Sequence, residues 1–199
     1  MNDWKDYKEA ADELKKGKLV AFPTETVYGV GCIFDDEMAY KSLVELKKRP
    51  PNKPISMMAD SIETVKSYLD CSDKAFAVLS RFLPGEYTFL LKAKPDLYPW
   101  VTLNTGVLGL RVPASEEVRK MLREVGKPAL VTSANISGEP TARRYEDLSP
   151  VFLEKTFVID GECVSQVAST IVDLSSDDPK LIRQGNASFE EVLAYWKRY

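Results

Sequence analysis

The sequence contains no histidine in 199 residues. That absence removes Ser-His-Asp and Cys-His nucleophile activation, HExxH metal sites and every imidazole general base. Any chemistry must run on carboxylates, hydroxyls, Lys and Arg, backbone amides, or a metal held mainly by oxygen. No apolar run approaches the roughly 18 residues of a membrane span, so none is expected. The N-terminal stretch MNDWKDYKEAADELKK reads as a charged helix rather than a signal peptide. Cysteine is sparse: Cys32, Cys71 and Cys163 form no CxxC, which suits reduced thiols in a cytoplasmic protein. A basic surplus is also missing. The net charge of −3 argues against a dedicated nucleic-acid binder. There is no GxxxxGK[ST] loop, internal repeat, low-complexity tract or linker, so one domain over residues 1–199 is expected.

What is present alternates between helix and strand. Trp4, Tyr7, Ala11 and Leu14 recur at helical spacing, and Gly17 ends that segment. KLVAF (18–22) and VYGVGCIF (27–34) read as strands. Asp35 or Asp36 caps a helix through about Lys48, with Tyr40, Leu43, Val44 and Leu46 inward. A short strand starts at Ile55, and helices follow near 61–69 and 73–83. YTFLLKA, GVLGLRV and PALVTS read as further strands, with a helix over 115–125 that ends at Gly126. Strands at 156–160, 170–174 and 180–183 complete the sheet. Ser188 and Glu191 form a capping box for a last helix carrying Tyr195, Trp196 and Tyr199. The expected class is mixed α/β.

Polar and cationic residues gather where the apolar pattern stops. FPTETVYGVG places hydroxyls at Thr24, Thr26 and Tyr28 beside Glu25, Gly29 and Gly31. It reads either as a turn with hydroxyls on backbone amides or as the wall of a polar-ligand site. LKKRPPNKP pins Lys47, Lys48, Arg49 and Lys53 around two prolines that stop the helix, which suits a polyphosphate or carboxylate; a solvated basic helix end is the plainer alternative. LVTSANISGEPTA runs from a buried strand into Thr132, Ser133, Asn135, Ser137, Gly138 and Thr141, which is either an anion cradle or an ordinary turn. Arg111 in LGLRVP and Arg183 in LIRQG end apolar strands and must find anions or carbonyls. Ser169 and Thr170 place two more hydroxyls at a strand start.

In this order, PTETVYGVG, KKRPPNKP, PGEYTFLLK, LGLRVP, VTSANISGEPTA, STIVDL and LIRQG resemble the YrdC/TsaC family of threonylcarbamoyl-AMP synthases, over roughly residues 8 to 192. The resemblance implies an open twisted mixed sheet, flanked by helices, around a large electropositive cavity. It implies a nucleotidyltransferase that joins ATP, L-threonine and bicarbonate into threonylcarbamoyl adenylate and releases pyrophosphate, with Mg2+ accompanying ATP. A threonylcarbamoyl-transferase complex then acts on tRNA. Some relatives carry a second C-terminal domain, which is not expected here.

Carried over by position, Thr26, Tyr28, Met58, Arg111, backbone at Val131 and Ser169 fall on threonine contacts. Arg49, Lys53, Val107 through its backbone, Ser133, Asn135, Thr141 and Arg183 fall on nucleotide contacts. Lys47 and Arg49 are the implied catalytic cations, and no protein metal ligand is implied, although Glu25 is a candidate to assist Mg2+. Met58 stands where some relatives have a polar side chain, and Glu86 replaces a proline of the PGP-type turn. A carbamate attacking the α-phosphate needs no protein nucleophile, only neutralised charge and close positioning, which suits a chain without histidine. The rival from another class is an RNA-binding module built on the Lys41–Lys53 cluster; weak, salt-sensitive tRNA contact is expected, and tight contact at physiological salt would favour that rival. Carbamoyl-adenylate chemistry on another acceptor is the nearer rival.

Overall fold

The computed structural model describes residues 4–165 and 167–198, with Trp4 described by its backbone alone. The Trp4 side chain, read as part of a helical repeat, and the whole of Tyr199 therefore lie outside the described residues.

The elements run α1 (Trp4–Lys15), β1 (Val20–Phe22), β2 (Gly29–Ile33), α2 (Glu37–Leu46), β3 (Ser56–Met58), α3 (Ile62–Val65) and α4 (Asp73–Phe82). They continue with β4 (Tyr87–Lys92), α5 (Pro99–Thr102), β5 (Val107–Arg111), α6 (Glu116–Val125) and β6 (Ala129–Ser133). The last are α7 (Pro150–Lys155), β7 (Phe157–Val158), β8 (Thr170–Asp173), β9 (Lys180–Arg183) and α8 (Phe189–Arg198). Each helix read from the pattern is found, and its start has a local cause. Asp36 accepts from the N–H groups of Met38 and Ala39, and Ser61, Ser72 and Ser115 cap the helices that follow them. Gly126 ends α6 at φ +75°, a conformation that suits glycine. Ser188 accepts from Glu191 N–H, but its hydroxyl meets the Glu190 carboxylate, so the expected box is half formed. The short helices α5 and α7, each opened by a proline, carry too few turns to show periodicity.

Among the described residues the strands form one sheet, in the order β7-β1-β2-β6-β3-β5-β4-β8-β9, with parallel and antiparallel pairs mixed. Its two faces differ. Val30, Leu130, Met57, Leu110, Phe89 and Val172 point into a large core shared with α2, α3, α4 and α8. The opposite face is covered at one end only. There α1 and α6 pack Tyr7, Ala11, Leu14, Val118, Met121 and Leu122 over Val20, Phe22, Met58 and Val131. Beyond that cover, β3, β5, β4 and β8 turn Ser56, Gly109, Arg111, Thr88, Leu90 and Ile171 toward open space. A sheet half covered on one face leaves a concavity, and that concavity is the candidate site.

Candidate functional site

The concavity holds about 590 Å³. Its floor is the bare half of the sheet, and its walls are the 23–28 turn, the 49–54 loop, the 133–141 loop and the 168–169 and 182–183 segments. The floor is low because of glycine. A Cβ on Gly109 would sit 2.8 Å from Ser56 Oγ, and one on Gly29 would sit 3.1 Å from the Val131 side chain. Four cationic side chains line it, Arg49, Lys53, Arg111 and Arg183, and no carboxylate does among the described residues. Such a lining attracts polyanions.

The PTET turn answers the question posed by its hydroxyls. Arg111 is 8% exposed, and its Nη2 donates to Glu25 Oε1 at 2.5 Å and Thr26 Oγ1 at 2.8 Å. Thr24 Oγ1 donates to Val27 O at 2.8 Å, so its single proton is spent, and the 3.0 Å contact between Thr24 and Thr26 must be donated by Thr26. A chain of donors thus runs from Arg111 through Thr26 and Thr24 to the backbone. Thr26, expected to meet threonine directly, is fully buried and outside the cavity lining, and its hydroxyl meets the Arg111 guanidinium instead. Arg111 Nε is buried with no partner among the described residues. A buried guanidinium N–H without an acceptor carries a desolvation cost.

Tyr28 borders the cavity, but its ring is fully buried in the core with Val30 and Cys32, its hydroxyl donates to Ile159 O at 2.5 Å, and burial pushes the phenol up. Glu25 is held by Arg111 and by Ser115 N–H at 3.4 Å, and it lines a neighbouring cleft, not the cavity. It is therefore not placed to assist a cation there.

Arg49 braces its own loop. Nε donates to Lys53 O at 2.8 Å, Nη2 to Pro54 O at 2.7 Å and Nη1 to Thr132 Oγ1 at 3.3 Å. Burial lowers its guanidinium pKa. Of five N–H donors, two remain for a ligand. Lys53 is exposed at the rim, and its ammonium pairs with nothing among the described residues. Lys47, in contrast, is 1% exposed and does not line the cavity. Its Nζ donates to Ser133 O, to Asn135 O at 2.7 Å and to Asn135 Oδ1 at 3.4 Å. Burial, with the Arg49 charge nearby, pushes its ammonium down to about 7.

Asn135 is likewise withdrawn into the loop, where Nδ2 donates to Ile136 O and Glu139 O. Val107 opens β5 two residues short of Gly109, opposite Lys92, and lies outside the lining. The remaining expected positions, Met58, Val131, Ser133, Thr141, Ser169 and Arg183, do line it. Met58 contributes an apolar side chain, and Val131 presents its side chain from inside β6. At Glu86 the backbone carbonyl is what matters: it accepts from Thr170 N–H at 3.0 Å.

Thr88 was not anticipated. It is buried, lines the cavity and shares a 2.8 Å hydrogen bond with Ser169 Oγ. Its signal was legible as a lone hydroxyl in the apolar run YTFLL. Arg183 Nε and Nη2 donate to Ser169 O, at 3.1 and 2.8 Å, which joins β9 to the start of β8.

A threonylcarbamoyl-AMP synthase of Pyrococcus abyssi is 34% identical over 195 residues, which is 96% of this chain and 57% of that protein. One from Klebsiella pneumoniae is 36% identical over 151 residues, covering 74% of this chain and 80% of its own length. The chain thus spans a little over half of the archaeal relative and most of the bacterial one. The crystal structure of P. abyssi Sua5 complexed with L-threonine superposes with a TM-score of 0.90 at 32% identity, over 97% of this chain and 58% of that one. E. coli YciO, at 23% identity and a TM-score of 0.87, shares the fold. The family model Sua5/yciO/yrdC, described as "Telomere recombination", matches residues 12–185. The chain belongs to the Sua5/YciO/YrdC family.

Proposed function

We propose that the protein is a threonylcarbamoyl-AMP synthase, a nucleotidyltransferase that acts as one domain over its length. The observation that carries this is Arg111: a guanidinium fixed by Glu25 and Thr26 on the wall of a cavity that holds three further cations and, among the described residues, no carboxylate. Arg111 offers a fixed donor to the carboxylate of L-threonine. Thr88 and Ser169 lie beside it, since pairing of Phe89 with Leu110 sets Thr88 next to Arg111 across β4 and β5. Relatives named threonylcarbamoyl-AMP synthase, and the threonine complex of P. abyssi Sua5, support the same reading.

The chemistry then follows from positioning. The threonine amine and bicarbonate give a carbamate and water. A carbamate oxygen attacks the α-phosphorus of ATP, and the bond to pyrophosphate breaks. Arg49, Lys53 and Arg183 hold the triphosphate and offset charge on the leaving group, with Ser133 and Thr141 at the nucleotide. Among the described residues no cluster of three or more His, Cys, Asp or Glu forms a cation site. An oxygen-rich, carboxylate-free lining fits Mg2+ brought in by the triphosphate and water, where it neutralises phosphate charge. Arg49, a member of the basic cluster, turns its guanidinium into its own loop and the cavity wall. We take tRNA binding by the protein alone to be weak and salt-sensitive, with a transferase complex consuming the adenylate in the cytoplasm. No described helix is long and apolar enough to cross a membrane.

The test is pyrophosphate release with each substrate omitted in turn. Turnover is expected only with ATP, L-threonine, bicarbonate and Mg2+ together, and equal turnover without threonine would overturn the reading.

A further inference from the structure

We propose that Lys47 is a positioning residue, which shapes the 133–142 loop from behind through its ammonium and does not itself meet the nucleotide. This rests on the reading of the cavity as an ATP site. An ammonium has three N–H donors. All three of Lys47 are spent on one loop: the carbonyls of Ser133 and Asn135, and Asn135 Oδ1. The Lys47 carbonyl in turn accepts from Ser137 N–H at 2.9 Å, so the loop is tied to this residue at four points.

The neighbouring cation behaves differently because of the residue between them. Lys48 adopts φ +48°, a left-handed conformation that breaks the helical course after α2. One cation is thereby sent into the protein and the next, Arg49, to the cavity wall.

The ammonium also decides what Ser133 can offer. Asn135 Nδ2 donates to Ile136 O at 3.0 Å and Glu139 O at 2.7 Å, so the amide orientation is fixed with Oδ1 as acceptor. Oδ1 takes the Lys47 ammonium and, at 2.6 Å, the Ser133 hydroxyl proton. Without Lys47, two carbonyls and this amide oxygen lose a donor in a buried place, and the peptide planes of the loop are free to turn. The nucleotide-facing side of the loop, where Ser133 and Thr141 line the cavity, would lose its set geometry.

The test is a double-variant cycle. Affinity for a non-hydrolysable ATP analogue with Mg2+ is measured for the wild type, Lys47→Met, Ser133→Ala and the pair. Each single change is expected to weaken binding, Lys47→Met by about 10- to 100-fold. The pair should bind no more weakly than Lys47→Met alone, because Ser133 is misplaced once Lys47 is lost. Losses that multiply would show two independent contacts and overturn the proposal.

Should Lys47→Met fail to fold, the wild type supplies the readout through 15N-labelled lysine Nζ signals. A Lys47 ammonium protected from solvent before nucleotide is added, and equally protected after, is expected. A signal that exchanges freely until nucleotide arrives overturns it. If the wild type binds no nucleotide, both the functional reading and this proposal fall; if it binds and the losses multiply, only this proposal does.

Discussion

Two arginines in one cavity have different neighbours, and the proposed function gives them different tasks. Arg111 spends Nη2 on Glu25 and Thr26 and keeps Nε unpartnered, so it is fixed before any ligand arrives. A carboxylate held there carries the same charge before and during reaction, which is uniform binding. Arg111→Lys should raise the KM for threonine about 10- to 100-fold and lower kcat less, since lysine cannot span the same acceptors. Arg49 instead braces the carbonyls of Lys53 and Pro54 and, in the proposed function, offers what remains to the triphosphate. Arg49→Lys should lower kcat by roughly 100-fold or more and raise the KM for ATP, with threonine KM little changed. Steady-state kinetics with ATP and threonine varied separately would check both. A threonine KM untouched in Arg111→Lys, with ATP binding lost, would mean the two subsites are exchanged.

At the scale of elements, the site depends on loops held against strand ends. Gly185 shows this most sharply: a Cβ there would lie 2.3 Å from Ala168 O and 2.6 Å from Thr170 N. Its own N–H donates to Thr170 Oγ1 at 2.9 Å, and this close approach keeps the end of β9 on the segment that carries Ser169. Gly185→Ala must move backbone on one side or the other. It should cost about 1–3 kcal/mol, a fall of roughly 2–10 °C in Tm, and raise the KM for threonine through Ser169. An unchanged Tm and KM would show that the contact relaxes freely.

Strand and helix positions were legible because period and caps are local: YTFLLKA, PALVTS and the Asp36 cap could be placed from a few residues each. The polar clusters were legible as well, since hydroxyls and cations at strand ends need partners. Which of them face the cavity was not. Thr26, Lys47 and Asn135 carry the right chemistry, yet they work from behind the wall, because their partners lie 85, 86 and 88 residues away or within the same loop. Only tertiary pairing, with Thr26 under Arg111 and Lys47 under the 133–142 loop, decides which group reaches the ligand and which aims it.

For the whole molecule, Lys47 links ionisation to both stability and binding. Its ordinary value is 10.5, and burial brings it to about 7 in the folded protein. Between those values the unfolded chain carries the proton and the folded one has released it, so unfolding takes up a proton and stability rises with pH. The slope is at most about 1.4 kcal/mol per pH unit, and it vanishes below about 7, where both states are protonated. A neutral amine keeps two N–H donors for three acceptors, so the loop loosens over the same range. Nucleotide affinity should therefore fall while stability climbs. Urea unfolding and ATP-analogue titration at pH 7 to 9, for the wild type against Lys47→Met, would show both trends in the wild type alone. A difference between the two proteins that stays flat with pH contradicts the assignment.

The half-covered sheet face, cleared by Gly29 and Gly109 and lined by four cations, leaves a pocket whose charge suits polyanions. The central claim is that a carbamate, and not the threonine carboxylate, attacks ATP. The most direct measurement is mass spectrometry of the nucleotide product formed from ATP, L-threonine and 13C-bicarbonate. The account predicts an adenylate that carries threonine and one labelled carbon, formed together with pyrophosphate. An unlabelled threonyl adenylate, or AMP release that proceeds equally without bicarbonate, would contradict it.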